Sequence, residues 1–180
     1  IVVCLARKIS KEDKGPLFYE QLRYGKNGKI FRLYKYRSMC IGADEKLKEY
    51  LANNEEARKE FKKTHKLQND PRITKIGNFL RKTSLDELPQ MINILKGDMS
   101  FVGPRPVVEK EVEEYGKNKE KFLSVKPGLT GYWQVNGRSN TTYEERMEME
   151  LFYVDNCSLW LDIKIFFKTF IAVFKKEGAV

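Results

Sequence analysis

Histidine is almost missing from this chain. The 180 residues contain one, His65, inside Lys62-Lys63-Thr64-His65-Lys66, where a solvated surface position is the ordinary expectation. With no second histidine, a Ser/His or Cys/His nucleophile system has little support. Cysteine is scarce too. Cys4, Cys40 and Cys157 are far apart and odd in number, and no Cys-x-x-Cys pair occurs. That argues against a disulfide framework or a zinc site, and a reducing compartment is the simple inference. No stretch reads as a signal peptide or a full membrane span. The chain also lacks the G-x-x-x-x-G-K-[ST] of a P-loop and the G-x-G-x-x-G of a dinucleotide fold.

Acidic residues are outnumbered. Lys and Arg total 34 against 25 Asp and Glu, a net charge of +9. Such an excess points to an anionic partner: nucleic acid, a phosphorylated substrate or acidic lipid head groups. The length suits one domain with a real core. The chain opens on Ile1-Val2-Val3-Cys4-Leu5-Ala6. This reads as the exit of a longer hydrophobic segment spanning residues 1–14, or else as a buried first strand.

The chemistry concentrates in Arg81-Lys82-Thr83-Ser84-Leu85-Asp86-Glu87-Leu88-Pro89-Gln90. Two adjacent carboxylates follow a basic pair, and Pro89 suits only the first turn of a helix. Ser84-x-x-Glu87 reads as a capping box, with both acids favouring a helix N-terminus. The alternative is a catalytic dyad, in which one carboxylate attacks an electrophile and its neighbour holds a metal or a proton.

Upstream, strand residues from Pro16 to Tyr24, an Asn27-Gly28 turn and a return strand from Ile30 to Met39 predict a β-hairpin. Its end, Tyr34-Lys35-Tyr36-Arg37-Ser38-Met39, is either a charged sheet edge or a phosphate-facing strand; nucleic-acid binding also fits its aromatic–basic mix. Ala43–Thr64 predicts one amphipathic surface helix with Leu47, Leu51 and Phe61 on its stripe. Asn69-Asp70-Pro71 predicts a turn.

Downstream, two rigid loops are expected. The first runs from Lys96 to Pro106 and ends in Gly103-Pro104-Arg105-Pro106, where the prolines restrict the backbone around a single arginine, which suits bidentate phosphate binding. A plain connector is the other reading. Lys126 to Ser139 carries glycines, aromatics and Arg138, a mix able to stack a base and bind a phosphate. Between the loops, Val107 to Leu123 reads as charged helix interrupted at Gly116, and Thr142-x-x-Glu145 caps a helix to about Asp155. Leu159–Lys176 is apolar and aromatic, with Lys164, Lys168 and Lys175 in one stripe. It belongs either in the core or along a membrane interface.

Taken in order, these motifs resemble a family. They are Tyr-Lys-Tyr-Arg-Ser-Met, Asn-Asp-Pro-Arg-Ile-Thr-Lys-Ile-Gly, Ser-Leu-Asp-Glu-Leu-Pro-Gln, Gly-Asp-Met-Ser-Phe-Val-Gly-Pro-Arg-Pro, Lys-Pro-Gly-Leu-Thr-Gly and Gln-Val-Asn-Gly-Arg. Together they are similar to the bacterial sugar transferases called monotopic phosphoglycosyl transferases. The branch they match best by pattern is the undecaprenyl-phosphate galactose or glucose phosphotransferases that begin O-antigen and capsule synthesis.

The resemblance implies an α+β fold, mainly helical, with an N-terminal β-hairpin and a catalytic domain over residues 15–180. It implies a membrane-associated, monotopic protein whose re-entrant N-terminal membrane helix is largely missing from this chain. The implied reaction takes a hexose-1-phosphate from a UDP-sugar, galactose or glucose favoured, to polyprenyl phosphate. It would occur at the cytoplasmic face of the bacterial inner membrane, in contact with membrane lipids. The implied nucleophile is Asp86, forming a phosphosugar–aspartate intermediate as UMP leaves, with Glu87 binding Mg²⁺. The implied phosphate ligands are Arg81, Arg105, Arg138 and Lys35, where Tyr36 replaces the family's usual phenylalanine beside Lys35. Asp162 matches an acid near the active site. Nucleic acid is not an expected partner, and a homodimer is compatible with the family. The rival is a non-enzymatic basic module binding nucleic acid or acidic membrane surfaces.

Overall fold

A computed structural model describes residues 11, 14–64, 67–137 and 141–174, excepting the side chains of 63, 64, 173 and 174. Helix and strand are mixed, with helix dominant. The described residues form two compact units. One takes those up to Tyr19 together with Tyr36–Asp86, and the other takes Glu20–Lys35 and the residues from Glu87 onward. A hairpin contributes to both. Its strands β1 (Phe18–Tyr24) and β2 (Ile30–Tyr36) form a two-stranded sheet. Asn27 (φ 55°) and Gly28 (φ 75°) take the left-handed conformations that the Asn-Gly turn predicts.

In the first unit, buried Tyr36 and Leu80 gather Leu17, Ile76 and Leu85 around them. The stretch 43–64 is not one helix. It divides into α1 (Ala43–Asn53) and α2 (Glu55–Thr64). Asn54 turns extended between them (φ −135°), and its Oδ1 accepts from the Ala57 N–H at 3.0 Å. A side-chain cap of this kind competes with helix continuation. Helix α3 (Lys75–Lys82) starts at Thr74, whose hydroxyl accepts from Gly77 N–H at 2.9 Å and whose own N–H donates to Ser38 O at 3.1 Å. The helix lies directly on Ser38, since a Cβ at Gly77 would stand 1.9 Å from the Ser38 carbonyl oxygen.

The second unit contains the elements that the sequence reading took for loops. Strands β3 (Ser100–Val102) and β4 (Gly128–Thr130) pair in parallel, Ser100 opposite Gly128 and Val102 opposite Thr130. Their approach needs glycine: a Cβ on Gly128 would lie 2.1 Å from Gly103 N. Helix α4 (Gln90–Leu95) precedes β3. The crossover to β4 carries α5 (Glu109–Glu114), a break at Gly116 (φ 50°) and α6 (Lys119–Phe122). Tyr132–Asn136 forms α7, and Thr142 caps α8 (Tyr143–Asn156) through the expected reciprocal bonds with Glu145. Helix α9 (Leu159–Phe174) closes the described chain. Its Ile165 packs with Val102 and Tyr153, while Trp160, Phe167, Phe170 and Ile171 remain exposed. No described helix is long and apolar enough to cross a membrane.

Candidate active site

The Asp86–Glu87 pair is set up by the end of one helix rather than the start of the next. Thr83 closes α3, its hydroxyl donating to the Phe79 carbonyl at 2.8 Å. Ser84 then turns left-handed at φ 55°, the conformation of a residue just past a helix C-terminus. This corrects the capping-box expectation, because an N-cap needs extended backbone. Helix α4 begins only at Gln90, with Pro89 before it and no side-chain cap. Leu85, Asp86 and Glu87 form a single 3₁₀ turn. Leu85 packs on the Tyr36–Leu80 cluster, so an apolar anchor holds the turn that carries the acids.

Within the first unit, Arg81 is drawn toward this turn. Its Nε donates to Ser38 Oγ at 2.9 Å. Burial pulls the guanidinium below its ordinary pKa, and the negative charges of Asp86 and Asp70 oppose that shift. Asp70 is held by a two-pronged pair with Arg72, Nε to Oδ1 at 2.8 Å and the terminal nitrogen to Oδ2 at 2.6 Å. Burial alone would raise the Asp70 pKa; the bonds from Arg72 overrule it and leave the carboxyl below its usual range. The Asp-Pro-Arg turn was legible, but this ion pair was not read from it.

In the second unit, Lys35 Nζ donates to Glu87 Oε1 at 2.7 Å. Both side chains are partly exposed, so the pair contributes less than about 1 kcal/mol to stability. Its meaning lies in placing a cation against Glu87. The placement is enforced from below by Asn93, which is fully buried on α4. Its Nδ2 donates to Arg32 O at 2.7 Å, and its Oδ1 accepts from Tyr34 N–H at 3.1 Å. Those bonds fasten α4 to the strand that bears Lys35. Asn93 stood inside an apolar run, and that was the only signal for it.

Arg105 lies between Pro104 and Pro106, in the segment that follows β3. Among the described residues, no carboxylate pairs with its guanidinium. Asp162 accepts from the Tyr153 hydroxyl at 2.7 Å, and Tyr153 also donates to Val102 O at 3.4 Å. Burial, reinforced by Asp162, raises the Tyr153 phenol well above its usual range, so it keeps its proton and donates it to Asp162. Arg138 lies outside the described residues. A further cluster that the sequence did not announce joins Arg23, Glu111, Arg146 and Glu150 by ion pairs of 3.2 to 3.5 Å. No described group of three or more His, Cys, Asp or Glu side chains is arranged to hold a metal.

A family model described as bacterial sugar transferase matches residues 1–176. The chain belongs to this family. The undecaprenyl-phosphate galactose phosphotransferase of Salmonella typhimurium is 50% identical to this sugar transferase over 179 residues, which cover 99% of the chain and 37% of the relative. The exopolysaccharide production protein ExoY of Sinorhizobium fredii is 47% identical over 167 residues, 93% of the chain and 74% of the relative. The UDP-glucose:undecaprenyl-phosphate glucose-1-phosphate transferase of Escherichia coli is 40% identical over 187 residues, again 99% and 37%. The chain thus spans under two-fifths of the length of the first and last of these relatives.

Proposed function

We propose that this sugar transferase moves a hexose-1-phosphate from a UDP-sugar to polyprenyl phosphate, at the cytoplasmic face of the bacterial inner membrane. The reading rests chiefly on the 50% identity to the Salmonella phosphotransferase across nearly the whole chain. In the proposed reaction an Asp86 oxygen attacks the phosphorus that bears the sugar. The bond to the UMP phosphate breaks, and UMP leaves with the electron pair. A polyprenyl phosphate oxygen then attacks the same phosphorus and displaces Asp86. Splitting the transfer in this way exchanges one hard step for two easier ones. Anion-on-anion attack needs cations to offset repulsion; Arg81 shares a unit with Asp86 and interacts with its charge, and the family resemblance assigns Lys35, Arg105 and Arg138 to the phosphates. Release of UMP by UDP-galactose or UDP-glucose, tested across a panel of UDP-sugars with the full-length protein in nanodiscs, is the expected result. Binding of nucleic acid with no UMP release from any of them would favour the basic-module reading.

Glu87 is the residue that would hold Mg²⁺. The protein presents Glu87, one of whose oxygens faces Lys35, and Mg²⁺ characteristically takes one or two carboxylates plus substrate phosphate oxygens rather than an all-protein cage. When bound, the ion supplies positive charge to the diphosphate. Glu87→Gln is expected to lower turnover about a hundredfold, the scale of losing a transition-state charge contact, and to shift the Mg²⁺ titration to higher concentration. An unchanged Mg²⁺ midpoint would remove Glu87 from the metal role.

The exposed face of α9 belongs to the membrane side of the proposal. Trp160, Phe167, Phe170 and Ile171 are half or more exposed while Ile165 and Ala172 are buried. Core packing and a free apolar face therefore coexist on one helix. Half-burying such a face in lipid at about 25 cal/mol per Å² gives several kcal/mol of anchoring. Phe170→Glu is expected to weaken flotation with anionic liposomes and leave the unfolding temperature near wild type. A variant that unfolds yet still floats would assign the face to the core.

A further inference from the structure

Pro104-Arg105-Pro106 has one backbone N–H, that of Arg105, and a buried carboxylate takes it. Glu150 on α8 is 1% exposed. Its Oε1 accepts from the Arg105 N–H at 3.3 Å and from Arg146 Nε at 3.4 Å. Its Oε2 accepts from the Tyr115 hydroxyl. The neighbouring carbonyls are held separately. Gly128 N–H donates to Pro104 O at 2.8 Å, a guanidinium nitrogen of Arg23 to Pro106 O at 3.2 Å, and Tyr24 N–H to Val107 O at 3.0 Å. Glu150 is thus the side chain bound to the Arg105 residue itself, while the other bonds grip its flanks.

An ionised carboxylate at this depth carries a heavy desolvation cost, which apolar residues of the same volume would avoid. Charges balance in the cluster: Arg23 and Arg146 face Glu111 and Glu150. Arg146 is further pinned over the Trp133 and Tyr143 rings, 4.8 and 5.3 Å from their centroids. The cluster reaches the surface chemistry through the Pro-Arg-Pro segment, because Arg23 and Glu150 both end on its backbone. We propose that Glu150 is a positioning residue: by holding the Arg105 amide, it aims the Arg105 guanidinium at the donor phosphates. This inference rests on the reading of Arg105 as a phosphate ligand.

A double-mutant cycle separates the two claims. The probe is UDP-galactose or UDP-glucose, whichever the wild type turns over, with circular dichroism reporting the folded fraction. Arg105→Ala is expected to lower kcat/KM about a hundredfold. Glu150→Gln should lower it about tenfold per folded enzyme, the scale of a small misplacement of a ligand. In the Arg105→Ala background, Glu150→Gln should cost less than about twofold. If the two losses multiply in full, Glu150 acts on the fold and not through Arg105, and the positioning role is overturned. If Arg105→Ala alone leaves activity intact, the phosphate reading of Arg105 falls and the inference goes with it. Should Glu150→Gln not fold, Tyr115→Phe takes its place. It frees one carboxylate oxygen and is expected to cost about threefold, again only when Arg105 is present.

Discussion

Asp86→Asn is expected to abolish UMP release, by about 10⁴-fold or more, the scale of removing an enzyme's nucleophile. The amide is nearly isosteric with the carboxylate but is a poor nucleophile. The fold should tolerate it, because Leu85, packed on Tyr36 and Leu80, anchors the turn. Arg81 should stay in place as well, since its Nε is fixed on Ser38 Oγ. Unfolding free energies of variant and wild type are therefore expected to agree within about 1 kcal/mol. Substantial UMP release by the asparagine variant would mean that another group attacks the phosphorus.

A large stability effect is expected at Asn93. Asn93→Ala removes a fully buried side chain and, with it, the partners of the part-buried Tyr34 N–H and Arg32 carbonyl. Each orphaned group costs about 1–3 kcal/mol, so a loss of about 2–4 kcal/mol is expected. For a chain of this length that is a fall of about 10 °C in melting temperature. Turnover per folded molecule should fall too, because the strand bearing Lys35 is no longer fastened to the helix that follows Glu87. Asn93→Asp keeps an acceptor for Tyr34 but loses the donor to Arg32 and buries a charge, so it should be no better. Chemical denaturation of both variants checks this. A loss under 1 kcal/mol would show that the strand is held by other contacts.

The sequence announced those parts whose signal is local. Asn27-Gly28 carries its turn in its own dihedral preferences, and Thr142-x-x-Glu145 its cap. The same cap pattern at Ser84-x-x-Glu87 misled, because it follows directly on α3. The demand for a left-handed residue after Thr83 outweighed it, and the acids were left on a 3₁₀ turn. The break at Asn54 was hidden because both flanks are rich in balanced charge, and only the paired asparagines marked it. Strands β3 and β4 are three residues each, too short to show alternation, and their glycines read as loop formers when they in fact permit close pairing. Glu150 was invisible for a different reason. It stands among the outward-facing acids Glu144, Glu145 and Glu148, and its partners Arg105 and Tyr115 lie 45 and 35 residues away.

The central claim is that Asp86 carries the sugar phosphate between donor and lipid. The direct measurement is intact-protein and peptide mass analysis after mixing the enzyme with its UDP-sugar in the absence of polyprenyl phosphate. The account predicts one equivalent of UMP per enzyme and a hexose-phosphate adduct on the peptide containing Asp86, discharged when polyprenyl phosphate is added. UMP that appears only after the lipid is supplied, with no adduct at any stage, would contradict it.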